Sequence, residues 1–472
     1  GRTVGRRSLH AAPLRWWVSA DAVQRAERWF ARRGPSLILA SRFMPGTRLP
    51  TYVAAGVLRA PLARFAGWFV LACALWTPLL VGGAAIFGEV ALRLFTSWTN
   101  AIPALLAAGG MVLMTARLGV ALSTWRGRRL LLSRWRRCTR WEFWPMWAIY
   151  PPVVLQILWL GLRYRSLTLF TAANPGISAG GGLVGESKSE ILAGLAGAGE
   201  AIARWQLIPP GPLDRRIAAL DDFMAKETLG YPVVLKPDVG ERGSGVVIAR
   251  DRAAVKKTLR EAPGRMIAQA YIPGVEFGIF YHRRPSEEFG EIFAITEKIS
   301  VSVRGDGKST LERLILADER AVCMARFFLQ KFFARLDEIP AAGETITLSE
   351  LGTHSRGALF LDGTHLTTPG LVAAVDRVSR SHDGFHFGRY DVRTSSVEAL
   401  RRGEFTVIEL NGLTSEATSI YDPRHSLWFG WRTLCRQWRI AFAIAAENRA
   451  RGVRPLTPLE TWQLIAQSRA AS

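Results

Sequence analysis

Residues 388–412 read GRYDVRTSSVEALRRGEFTVIELNG, and two short segments within them carry Asp391, Glu409 and Asn411. In FTVIELN a strand's period of two puts Val407, Glu409 and Asn411 on one face, with Ile408 and Leu410 on the other. Gly403 and the polar run before it predict a turn, which folds the Asp391 strand antiparallel beside its partner and brings a third oxygen alongside. Three hard oxygen donors on a rigid sheet suit magnesium held against nucleotide phosphates. The plainer alternative is a pair of amphipathic strands whose acids face water.

Upstream, several features fall in a definite order. The strand YPVVLKP delivers Lys236, and DVGERGSGVVIA follows with Gly240, Gly243, Ser244 and Gly245, a flexible loop whose amides could close over phosphates. MIAQAYIPGVEFGIF then reads strand, turn, strand, with Gln269, an apolar hinge from Ala270 to Ile272, and Glu276. Such a hinge can offer backbone groups to an adenine, while the acid reaches ribose hydroxyls. ITEKISV brings a second lysine, Lys298, from another strand. Taken singly, each has a bland reading: glycine loops serve hairpins, and lysines at strand ends are solvated. GDGKST at residues 305–310 lacks the first glycine of a P-loop, since Ser302 stands there, and reads as a turn.

Charge is distributed unevenly. Residues 1–168 hold 23 Arg, no Lys and four acids, so they carry +19 of the chain's net +22 and leave the remainder nearly neutral. The same half contains long uncharged apolar runs, so its arginines read as topology signals and anionic-lipid contacts, and nucleic-acid binding is not expected. Residues 65–88 and 94–116 are free of charge and long enough to cross a hydrocarbon core of about 20 residues, predicting a transmembrane hairpin. Eight arginines between Arg117 and Arg140 place the loop of residues 117–142, and both ends of that hairpin, in the cytoplasm.

Two further apolar stretches are interrupted. Arg42, Pro45, Gly46, Arg48 and Pro50 break the first, giving either a re-entrant hairpin with buried arginines or an interfacial loop whose arginines snorkel. Residues 143–162 carry Pro151 and Pro152 at their centre and arginines at both flanks. A re-entrant or interfacial helical hairpin is expected there, with a full span as the alternative. Residues 20–34 read as a basic amphipathic helix, and residues 166–185 as a turn-rich linker or a floor for substrate, before a helix resumes over ESKSEILAGLAGAGEAI. A first residue other than Met suggests that the true amino terminus is missing.

At RFMPGTRLPTYVAAG the chain resembles the DedA family, also called SNARE-associated or VTT-domain proteins, over roughly residues 20–116. That resemblance implies a link to movement of lipids or lipid-linked carriers, with Arg42 and Arg48 as the functional arginines. The order lysine, glycine loop, hinge with acid, second lysine and Asp…Glu-x-Asn resembles the ATP-grasp superfamily, specifically its carboxylate-amine ligases such as D-alanine-D-alanine ligase, over roughly residues 215–424. The resemblance implies ATP and two Mg2+ ions as cofactors: Lys236 and Lys298 on phosphates, Ala270 and Ile272 along the adenine, Glu276 on ribose, and Asp391, Glu409 and Asn411 on magnesium. Arg389 would stabilise a tetrahedral intermediate, and Gln269 stands where these ligases usually have an adenine-contacting Glu. Thr414, Ser415 and Glu416, just beyond Asn411, are candidates for the acceptor site.

The expectation is therefore a multidomain chain: an α-helical membrane domain over residues 1–168, a glycine-rich linker and short pre-ATP-grasp region over 169–214, an α+β ATP-grasp domain over 215–424, and amphipathic helices over 425–472. Expected function is an ATP-dependent ligase in a bacterial-type inner membrane, multi-pass, its ATP-grasp domain cytoplasmic. Its partners would be the bilayer and small or lipid-linked carboxylates and amines. The rivals are a lipid carrier with a non-catalytic nucleotide sensor, and a kinase that stops at phosphorylation.

Overall fold

A computed structural model describes residues 38, 41, 48–57, 61–94, 98–240, 244–349, 352 and 357–471. The chain divides into two compact units, residues 1–131 and 132–472. The division falls well before residue 168, where the sequence placed it, so residues 132–168 belong to the second unit.

In the first unit, helices span Arg48–Val57, Leu62–Leu94 and Trp98–Ser123. Within the last two, Leu62–Gly83 and Leu106–Ser123 are long and apolar enough to cross a membrane, and almost none of their side chains is buried inside the protein. Arg42 and the 20–34 helix lie outside the described residues. Arg48 opens the first helix, and its side chain also lies outside them.

Two antiparallel sheets build the second unit. Strands β1 (Trp205–Ile208), β2 (Val233–Pro237), β3 (Val247–Ala249) and β4 (Met266–Ala270) form one, in the order β1-β4-β2-β3. The other takes β5 (Val275–His282), β6 (Glu291–Ile299), β9 (Leu359–Asp362), β10 (Phe387–Thr394) and β11 (Thr406–Asn411), in the order β11-β10-β5-β6-β9. Between β6 and β9, β7 (Ser302–Arg304) and β8 (Thr345–Thr347) pair as a separate ribbon. Helices cover these sheets, which makes the unit α+β. One apolar core joins Ile267 of β4 to Phe277, Ile279, Tyr390 and Leu410 of the larger sheet.

The connection between β10 and β11 is a helical turn, Val397–Arg402, where the sequence predicted a plain turn. Ser396 caps it, and Gly403 ends it in the left-handed region (φ 83°), where a β-carbon would also strike Ala374 at 2.7 Å. In GDGKST, Asp306 Oδ1 accepts from the amides of Lys308 and Ser309, so the stretch forms the turn expected from the sequence.

Residues 141–163 are fastened to the long helix Leu427–Ala450, to His425 just before it, and to Arg320. Trp141 Nε1 donates to His425 O at 2.9 Å, Trp431 Nε1 donates to Ile149 O at 2.8 Å, and buried Glu142 pairs with Arg320 at 2.9 Å. The helix Pro151–Arg163 packs Val153 and Leu160 against Leu434, Trp438 and Phe442. Thirteen residues at about 1.5 Å each reach only about 20 Å, too short for a full span.

Residues 166–185 are not a loose tether either. Asn174 is fully buried, its Nδ2 donating to Gly181 O and Phe387 O while its Oδ1 accepts from His386 N and Phe387 N. Ala179, Gly180 and Gly181 then make a left-handed turn, and Leu413 N donates to Gly181 O at 3.0 Å. A β-carbon on Gly182 would meet Gly412 Cα at 2.8 Å, so the two segments touch backbone to backbone. The following helix is shorter than its periodicity suggested. It spans Lys188–Gly194 and gives way to a 3-10 stretch broken at Gly199.

Candidate active site

The β10–β11 register places Asp391 opposite Glu409 and Arg389 opposite Asn411, so the predicted pairing of the acids is present. The alternation within β11 is not regular. Register shifts between Asp391 and Val392, with Glu409 opposite the first and Val407 opposite the second, which leaves Ile408 as a bulge. Val407 therefore joins Leu410 in the buried core instead of sharing the face of Glu409 and Asn411. The bulge also frees the Ile408 carbonyl, which accepts from Lys236 Nζ at 2.9 Å and from Gln269 Nε2 at 3.1 Å. Both side chains come from the smaller sheet, so this carbonyl stitches the two sheets together at the site.

A chain of alternating charges crosses the larger sheet. Lys298 Nζ lies 3.0 Å from Glu276 Oε1 and 2.9 Å from Asp391 Oδ1, and Arg389 Nε lies 3.1 Å from that same Asp391 oxygen. Glu276 is also held by Arg393 Nη2 at 3.0 Å, and Arg393 Nη1 donates to Ile272 O. Burial raises the Asp391 carboxyl, but Arg389 and Lys298 outweigh it and hold the group below the usual range. For Lys298, burial pushes the amine down, and Asp391 and Glu276 more than offset that, leaving it raised. Lys236 has no such carboxylate contact, and burial lowers its amine.

The segment expected to form a nucleotide hinge ends β4, and part of it is already committed to the protein's own bonds. Ala270 N donates to Arg204 O, and Gln269 is turned inward on Ile408 O. Ser244 and Gly245 are exposed in the loop after β2, with Gly245 at φ 71°, while Gly243 lies outside the described residues. Among the acceptor candidates, Thr414 Oγ1 reaches Gly182 O and Leu183 O. Ser415 is buried with its hydroxyl on Gly412 O, so it acts on the backbone rather than on a ligand. Glu416 accepts from the Tyr421 hydroxyl at 3.0 Å, its main-chain oxygen accepts from Arg389 Nη1, and burial pushes its carboxyl up to about 7.

Residues that sequence reasoning missed complete the cluster. Lys188 is buried, donates to Gly240 O at 2.7 Å, and sits 3.9 Å from Glu409. Glu186 accepts from Gly412 N at 3.2 Å; burial, with the neighbouring Glu409 charge, raises its carboxyl to about 7 despite that bond. Asp238, just after β2, anchors this edge by accepting from Ser187 Oγ and Ser189 N. A signal was available in Ser187 and Glu190, a helix-capping spacing that marks where a buried lysine enters at the first turn.

Among the described residues no group of three or more His, Cys, Asp and Glu could hold a metal, so a cation here depends on an amide as its third donor. Asn411 supplies it. Its Nδ2 is enclosed without a hydrogen-bond partner, and the amide turned by 180° presents its oxygen to the same space. The donor set of two carboxylates and one amide oxygen fits a hard divalent cation.

Residues 1–85 match the model of the VTT domain. Two cyanophycin synthetases align with the chain: that of Synechocystis sp. at 26% identity over 231 residues (43% of this chain, 25% of the relative), and that of Geminocystis herdmanii at 24% over 227 residues (43% and 25%). The chain couples a region that matches the VTT model to an α+β unit. It spans only a quarter of the length of these curated relatives. Among solved structures, the D-alanine–D-alanine ligase of Bacillus anthracis is similar at 14% identity and a TM-score of 0.32, covering 56% of this chain and 67% of that one. A bifunctional glutathione synthetase of Pasteurella multocida is similar at 16% and 0.30, covering 52% and 35%.

Proposed function

We propose that this protein is a membrane-anchored, ATP-dependent ligase that joins a carboxylate to an amine, with its α+β domain in the cytoplasm. The observation that carries the proposal is the convergence of Lys236, Lys298, Arg389, Asp391 and Glu409 from both sheets, linked through the Ile408 carbonyl and the Glu276–Lys298–Asp391 ion pairs. The names of the curated relatives, both synthetases, agree with a joining reaction.

In this reading the substrate carboxylate attacks the γ-phosphorus of ATP to give an acyl phosphate and ADP. An amine then attacks the acyl carbon, and phosphate leaves with its bonding electron pair. Such chemistry depends on position and electrostatics and needs no protein nucleophile. Asp391, Glu409 and Asn411 would hold magnesium, which supplies neutralisation of phosphate charge. Lys298, Lys236 and Lys188 place cations around the phosphates, and Arg389 faces the negative charge that develops on the acyl oxygen. Ala270 and Ile272 border the adenine, Glu276 the ribose, and Ser244 and Gly245 close over the phosphates. Thr414 and Glu416 border the acceptor.

The test is ADP release by the full chain in nanodiscs, screened over soluble carboxylate–amine pairs and over lipid extracts, with product mass measured. A new C–N-linked product with stoichiometric ADP and phosphate is expected, and Asp391→Asn with Glu409→Gln abolishes it. A stable phosphorylated product without coupling, or nucleotide binding with no substrate-dependent ADP, overturns the ligase reading.

A further inference from the structure

The helix Pro151–Arg163 is apolar on two sides, and only one is covered. Val153 and Leu160 are buried against the helix Leu427–Ala450. On the opposite side Val154, Leu155, Leu158, Trp159 and Leu162 recur at helical spacing and face outward, with Leu155 67% and Leu162 70% exposed. Trp147, in the short helix Met146–Ile149 just before it, is 79% exposed. Contiguous apolar exposure of this kind marks a contact surface.

Charge decides what contacts it. From residue 143 to residue 185 there is no acidic side chain, and none from 423 to 446, whereas these stretches carry Arg163, Arg165, Arg432, Arg436 and Arg439. Arg163 lies over the Trp159 ring at 5.3 Å. With Arg439, Gln156 and Tyr164 it borders a surface cavity of about 630 Å³ beside the apolar stripe. Neither Arg163 nor Arg439 pairs with a carboxylate among the described residues. Leucines and tryptophans flanked by arginines with no acids match the boundary between acyl chains and anionic headgroups. The same chain carries helices apolar enough to cross a membrane at Leu62–Gly83 and Leu106–Ser123, so a bilayer is within its reach.

We infer that the outward face of Pro151–Arg163 docks the α+β unit onto an anionic bilayer, its leucines and tryptophans entering the acyl boundary and Arg163 and Arg439 receiving lipid phosphates. Docking holds the unit against the membrane by a second contact besides its covalent tether. The inference does not depend on the ligase reading, since it uses none of the site's residues.

The test places a fluorophore at Leu155→Cys in the full chain, with the native cysteines replaced by Ala, in nanodiscs of phosphatidylglycerol with phosphatidylethanolamine or of phosphatidylcholine alone. A label at Lys257→Cys, exposed on another helix, serves as the aqueous reference. Nitroxide carried on acyl chains should quench the Leu155 label about twofold or more, and aqueous iodide should not. Quenching should be greater with phosphatidylglycerol, and Arg163→Gln with Arg439→Gln should remove that increment. Quenching by iodide without quenching by lipid overturns the inference. So does shielding from both: with label-to-label proximity between copies it assigns the face to a second copy, and without it to another segment of this chain.

Discussion

Lys298 and Asp391 stand on strands that are not neighbours, yet their side chains meet at 2.9 Å over Gly278 of the strand between them. A β-carbon at Gly278 would lie 3.3 Å from Arg389 Cδ, 3.5 Å from Asp391 Oδ1 and 3.5 Å from Lys298 Cε. The glycine is therefore the gap through which the two sheet positions communicate.

Filling that gap should damage chemistry more than folding. Gly278→Val is expected to lower the rate of ADP formation by about 10²-fold, the scale of a displacement near 1 Å at reacting groups. Steady-state ADP release, read beside far-UV circular dichroism, checks it; a variant with unchanged kcat would refute the spatial role given to Gly278.

Removing one partner of the ion chain should be worse for stability than removing two. Lys298→Met leaves Asp391 with Arg389 alone and Glu276 with Arg393 alone, at side-chain exposures of 9% and 12%, and is expected to cost about 1.5–3 kcal/mol. Adding Asp391→Asn should recover part of that stability while activity stays absent. Thermal unfolding in detergent, run in parallel with the ADP assay, separates the two effects.

Asn174 tests whether residues 166–185 are part of the domain. Its side chain makes four hydrogen bonds to the backbone at Gly181, His386 and Phe387. Asn174→Ala should destabilise the domain by about 2–4 kcal/mol, from lost bonds and backbone groups left unpaired. A linker would lose nothing in thermal unfolding.

Glu416 gives the stability a pH dependence of known sign. Its carboxyl is raised by burial from 4.5 to about 7, so between those values the folded state binds the proton that the unfolded state has released. Its contribution is therefore present below pH 4.5 and lost as pH rises through about 7. Glu416→Gln should reduce the fall in melting temperature between pH 5 and pH 8, the part due to the similarly raised Glu186 carboxyl remaining. A fall that persists in full would show that the carboxyl is not enclosed as described.

Much of the site was legible because its signals are local. Lys236, Glu276, Lys298, Asp391 and Glu409 each announce themselves within one strand, and their order along the chain is independent of how the sheets meet. The α+β class followed from strands and helices whose periods differ. What the sequence could not carry depends on pairing across distance. The bulge at Ile408 exists only in the pairing of β11 with β10, and only the bulge turns Val407 into the core and offers a carbonyl to Lys236. Lys188 and Glu186 reach the charged cluster because the glycine turn at residues 180–182 lies against Gly412. The helix Pro151–Arg163 has one composition for both its faces, and hydrophobicity alone cannot say which is covered by protein. Sequence determined which chemical groups are present and in what order. Tertiary structure decided which of them touch, because contact is fixed by strand register and by the absence of side chains at Gly278, Gly182 and Gly412.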